Sequence, residues 1–180
     1  MPLEKTFHES SVRLHRLKER VEELRLTVME DRPPGPDAQI VDHFEYGVED
    51  ILGYLNETLQ LAASAERAVE PPVHLDVARH ALTKCQERFQ RMENVFSSSL
   101  TSYERLKDLA SFASERRRWQ PWVSSVKQGI DHCVQSLDHA RTSLRECWQE
   151  IAERVGTTSV SVRTTAIGQK INAPAAQPEG

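Results

Sequence analysis

From Val123 to Ile151 the chain places an apolar residue at every third or fourth position: Val123, Val126, Ile130, Cys133, Leu137, Ala140, Leu144, Cys147, Ile151. A 3-4-3-4 spacing puts these residues on one stripe of an α-helix and predicts a packed, amphipathic element. The same pattern recurs in three earlier segments. Phe7, Leu14, Val21 and Val28 share one heptad position and Leu17 and Leu24 the other, which predicts a first helix over about 7–30 with only Ser10 interrupting its seam. Thr6 followed by Glu9 has the spacing of a capping box at its start. The run Arg32-Pro33-Pro34-Gly35-Pro36 then forbids helix, because each proline lacks an N–H donor and restricts the residue before it.

A second helix is predicted over about 37–69, with Val41, Val48, Leu55, Ala62 and Val69 in one row and Phe44, Ile51, Thr58 and Ala65 in the other. Leu52 and Leu59 widen this stripe beyond a two-stranded zipper seam. Gly47 and Gly53 fall inside it, each costing about 1 kcal/mol relative to alanine, and close helix packing is the expected reason. Pro71-Pro72 closes the segment.

The third segment, about 75–117, keeps Ala78, Leu82, Cys85, Phe89, Met92 and Phe96 in phase, then Tyr103, Leu106, Ala110 and Ala113. The phase survives the hydroxyl-rich stretch Ser97 to Ser102, so one long helix is expected there. The fourth helix, about 121–155, opens at Pro121 as a first-turn residue and closes at Gly156 as a left-handed cap. Four amphipathic helices joined by short links form an elongated up-down-up-down bundle over residues 1–156, an all-α fold. The first helix is too short to cover the full length of the others, which leaves room for a groove or for self-association.

After Gly156 the pattern changes. Val160 and Val162 alternate with Ser159, Ser161 and Arg163, and threonines lead to Ile167, Gly168 and Ile171. β-branched residues at period two predict an extended, strand-prone segment over 159–171 within a C-terminal tail, 157–180. Residues 172–180, NAPAAQPEG, have the composition of a disordered end. A lone strand beside a helical bundle has no sheet to join. Val160, Val162, Ile167, Gly168 and Ile171 are therefore candidate docking residues for a partner's sheet edge, a bundle groove or a second copy.

Composition narrows the functional classes. A formal net charge of −4 argues against a general nucleic-acid or anionic-membrane surface. No run approaches the roughly 18 apolar residues of a membrane span, and the N-terminus lacks the apolar core of a signal peptide, so a cytoplasmic protein is expected. The three cysteines, Cys85, Cys133 and Cys147, lie on apolar stripes without metal-ligand spacing and read as buried thiols.

The inward rows carry almost no acid or histidine, so the carboxylate ligands of a bundle metal centre are missing. The pairs His8/His15 and His132/His139 lie beside the stripes and seven residues apart, about 10 Å along a helix. That is too far to chelate one ion. No phosphate-cradling glycine loop occurs, and Cys133 and its neighbour His132 diverge by about 100° around their helix.

One local oddity remains. Arg116, Arg117 and Arg118 precede Trp119 and Trp122, and arginine with tryptophan is the composition of an interface hot spot. The favoured reading of the same residues is structural: the arginines complement a helix dipole and the tryptophans plug a bundle end. The leading expectation is a non-enzymatic, cytoplasmic protein–protein interaction module, an adaptor, scaffold or effector-associated domain with a C-terminal docking peptide and no cofactor. A homo-oligomeric structural protein and a small-ligand or metal-binding bundle are the alternatives.

Overall fold

A computed structural model describes residues 3–30, 38–109 and 116–171, with the side chains of 38–40, 106–109, 116, 118 and 157–171 outside the description. The described residues form four helices: α1 (Leu3–Met29), α2 (Ala38–Ala68), α3 (Leu75–Leu109) and α4 (Arg116–Ile171). No strand occurs among the described residues. Each helix packs on its sequence neighbours, and α1 closes the ring against α4.

Cross-helix contacts fix the directions. Thr6 meets Glu150 and Arg13 meets the carbonyl of His139, so α1 and α4 run antiparallel. His43 with Ser98 and Glu57 with Arg88 give the same sense for α2 and α3. Tyr103 with Lys127 and Arg79 with Trp148 give it for α3 and α4. The expected up-down-up-down bundle is what the chain forms.

The seams read from the sequence are the core. All nine α4 seam residues from Val123 to Ile151 are buried, as are Phe7, Leu14, Leu17, Val21, Leu24 and Val28 of α1. The rows of α2 and α3 are buried likewise from Val41 to Val69 and from Ala78 to Phe96. Ser10, Thr58 and Ser99, the polar interruptions of these rows, are buried with them. Leu106, Ala110 and Ala113 fall where side chains or backbone lie outside the description. Helix α3 runs unbroken through Ser97 to Ser102, where the Thr101 hydroxyl donates to the Ser97 carbonyl at 3.1 Å and so leaves the ladder intact.

The glycines divide by packing. A β-carbon at Gly47 would stand 3.2 Å from Ser99 Oγ and 3.4 Å from a Val95 methyl, so close approach of α2 and α3 does account for it. At Gly53 nothing lies within 4 Å, and packing does not. Gly129, which the pattern did not single out, admits Leu24 so closely that an added β-carbon would sit 2.8 Å from its Cδ1.

Several boundaries differ from expectation. Helix α1 starts at Leu3, so Thr6 is not a cap but an interior residue buried against α4. Residues Arg116 and Arg117, assigned from the sequence to the end of the third helix, begin α4. Pro121 consequently lies inside α4 rather than in its first turn. The largest correction is at the other end: Gly156 has no positive φ, and α4 continues through it to Ile171.

The segment 159–171 is therefore helix, not strand. A strand needs a neighbour for its hydrogen bonds, whereas a helix already nucleated upstream adds one bond per residue internally. Local β propensity loses to that continuity. Residues 172–180 lie outside the described residues.

Candidate functional site

At 1.5 Å per residue, 56-residue α4 is about 84 Å long and 27-residue α1 about 40 Å. The antiparallel register places the start of α1 opposite the turn of α4 that follows Glu150. Residues 157–171 thus carry α4 about four turns, some 22 Å, past Gly156. The bundle has a turn end, where the 69–74 link joins α2 to α3 and this extension departs, and an opposite end where α4 begins.

At the turn end, Arg79 of α3 and Trp148, Ile151, Ala152, Val155 and Gly156 of α4 line a mainly apolar cavity of about 270 Å³. Ile151, a fully buried residue of the α4 seam, is part of its lining. Trp148 is half-buried, and the Arg79 guanidinium lies 5.4 Å from its ring centroid, a cation–π contact that orients the indole. One face of the cavity is the stretch of α4 that leads directly into the extension. It can hold one apolar side chain or a short apolar stretch of a ligand, with Arg79 available to an acid beside it.

Beside this cavity lies a buried polar knot between α1 and α4. The Thr6 hydroxyl donates to Glu150 Oε1 at 2.8 Å. Glu150 Oε2 is buried with no hydrogen-bond partner among the described residues, and Ser10 Oγ is buried in contact with the Cys147 thiol. Burial pushes the neighbouring Cys147 thiol up to about 12, opposed by its contact with Ser10 and reinforced by the Glu150 carboxylate. Burial pushes Cys85 and Cys133 to about 12 as well. These thiols are free, buried and held in the neutral, unreactive form.

The opposite end resolves the arginine–tryptophan run. Trp119 and Trp122 are both 5% exposed. Their rings meet edge to face at 5.8 Å, and Trp122 meets Phe44 in the same way at 6.4 Å. These aromatics close the bundle between α2 and α4 and present no free faces to a partner. Trp122 Nε1 is buried with no hydrogen-bond partner. Arg117 is exposed, and the Arg116 and Arg118 side chains lie outside the description. The structure therefore separates what the sequence grouped: the tryptophans point into the core, and an arginine lies at the surface.

Of the tail candidates, Val160, Val162, Ile167, Gly168 and Ile171 all fall on the helical extension, with side chains outside the description. Helical register replaces strand alternation for them. The positions that continue the α4 seam are now Thr158, Ser161, Thr165 and Gly168, polar or small, whereas Val160 and Ile167 share a different row.

Sequence spacing also hid a histidine–serine contact, because its partners lie on different helices. His43 Nε2 is 3.1 Å from Ser98 Oγ in an open pocket shared with Tyr46, Asp50 and Asn94. Both side chains are exposed, so water competes for the contact and Ser98 lacks the sheltered setting that activates a nucleophile. Among the described residues no group of three or more His, Cys, Asp or Glu side chains could hold a metal ion. None of the described helices is long and apolar enough to cross a membrane. Compared with known proteins, the chain matches no family model, no curated sequence and no solved structure.

Proposed function

We propose that this chain is a non-enzymatic protein–protein interaction module whose docking end is the turn end of the bundle. One observation carries the reading: the apolar cavity around Trp148, Ala152 and Val155 opens where α4 leaves the bundle. Rigid packing presents the cavity, and the α4 extension offers a further helical surface contiguous with it. An apolar anchor residue of a partner helix would fill such a cavity, and an acidic residue beside it would meet Arg79. The sequence-based idea of a docking peptide is kept in altered form, as a helix rather than a strand. An adaptor or scaffold role in the cytoplasm follows from this reading as its simplest use.

The test is affinity capture from the native source with three proteins: the full chain, a chain ending at Gly156, and Ala152→Arg. A defined partner retained by the full chain and lost from both variants is the expected result, with helical circular dichroism unchanged. Capture that is indifferent to both changes would overturn the proposed end. Light scattering on the full chain addresses the homo-oligomer reading: a mass above one chain that falls on removal of 157–180 would assign the extension to self-association instead.

A further inference from the structure

Midway along the bundle, on the face shared by α1 and α4, Arg13, Arg16, Ser136 and His139 line a notch of about 260 Å³. It lies about 18 Å along α4 from Ile151 and the turn-end cavity, and stands independently of the docking reading. Arg13 and Arg16 are one turn apart on α1, and Ser136 and His139 one turn apart on α4, so each pair shares a helix face. Antiparallel packing sets the two faces against each other. Arg13 is half-buried and is positioned by its own hydrogen bond, Nη1 donating to the His139 carbonyl at 3.4 Å. Arg16 is exposed, and among the described residues no ion pair to it is seen.

Glu19, one turn from Arg16 on α1, is exposed and does not line the notch, and the other nearby acids have cations of their own. Glu9 is paired with Lys5, Glu22 with Lys18, Glu23 with Arg20 and Asp138 with Arg141. Asp131 is paired with Lys127. Among the described residues no carboxylate lines the notch. A chain with a net charge of −4 thus sets two guanidinium groups together at one concave place that its described carboxylates do not line.

We infer that this notch is a binding site for a single phosphomonoester group. Two guanidinium forks supply donors and no acceptors, and the Ser136 hydroxyl and His139 imidazole add donors from the opposite helix. A carboxylate offers two oxygens, fewer than these donors can use. A phosphomonoester offers three terminal oxygens and close to two negative charges, which match the arginine pair. The notch is small and isolated, and the chain's net negative charge disfavours an anionic lipid surface. A free phosphate or phosphorylated small molecule, or a phosphorylated side chain, is the fitting ligand.

The experiment is an amide-resolved NMR titration of the full chain at constant ionic strength, with inorganic phosphate and O-phosphoserine in separate arms. Saturable shifts at Arg16, Ser136 and His139 are expected with both, and chloride should cause none. Arg16→Gln weakens binding about tenfold, as loss of a charge-assisted bond does. Ser136→Glu, which sets a carboxylate among the cations, abolishes it. Arg16 is exposed, so retained helical circular dichroism separates these effects from unfolding.

A third arm with vesicles containing phosphatidic acid distinguishes the source. Binding there without binding of the soluble ligands would overturn the proposal in favour of a membrane contact. Absence of saturable shifts with both soluble ligands, or shifts undiminished in both variants, would overturn it outright.

Discussion

Helix α4 contains two regions alike in backbone conformation but unlike in the residues their seam positions carry. From Trp119 to Ile151 it buries nine seam residues and two tryptophans against its neighbours. From Gly156 to Ile171 it keeps the helix, but Thr158, Ser161, Thr165 and Gly168 stand at the seam positions. Helix formation and core formation are thus separable. Once nucleated, a helix is extended by its own hydrogen bonds, whereas a core ends where apolar residues leave the seam. The boundary falls between Ile151 and Gly156, and the apolar cavity opens there.

The sharpest way to break this comparison is a matched pair of truncations. Ile130, 1% exposed on the α4 seam, should lose about 2–5 kcal/mol as Ile130→Ala. Ile167→Ala in the extension should change stability by no more than about 0.5 kcal/mol. Urea denaturation of both variants measures the contrast. Equal losses would mean that the extension is packed as a core element.

Alkaline pH probes the buried half alone. The Cys85, Cys133 and Cys147 thiols ordinarily ionise near 9 and are raised by burial to about 12. With the folded values raised, the stabilising contribution is complete below pH 9 and is lost as pH climbs from 9 toward 12. Thermal melting across that window should show a falling midpoint, and serine in place of all three thiols should flatten the decline. At neutral pH the thiols should resist alkylation until the bundle unfolds.

The smallest effect lies at the junction. With no positive φ and no atom within 4 Å of an added β-carbon, Gly156→Ala should gain up to about 1 kcal/mol. A left-handed cap would reverse the sign, because alanine is strained there. Calorimetry of this one variant therefore decides whether α4 runs on or stops.

Much of the fold was legible because core burial imposes a period on the residues. The described seams of α1, α2 and α4 and that of α3 as far as Phe96, with even their polar interruptions at Ser10, Thr58 and Ser99, could be read directly. Boundary signals were weaker guides. Thr6 and Glu9 have capping-box spacing, yet the helix begins at Leu3 and the Thr6 hydroxyl goes to Glu150 instead. Gly156 has the identity of a cap but not its conformation. The β-branched run after it carried a real local propensity that had no partner strand to satisfy.

The candidate sites were far less legible. His132 and His139 drew notice by spacing, but nothing along the chain links His139 to Arg13 and Arg16, which lie more than 120 residues away. The turn-end cavity likewise joins Arg79 to Trp148, and the His43–Ser98 contact spans two helices.

The sequence by itself determined four amphipathic helices, their order and the residues they bury, because periodic burial is written into each helix separately. Only the tertiary structure decided which outer faces meet across α1 and α4, that the tryptophans turn inward, and that α4 outruns its bundle. Those outcomes depend on packing between segments distant in sequence, and on cooperative helix extension overriding local preference.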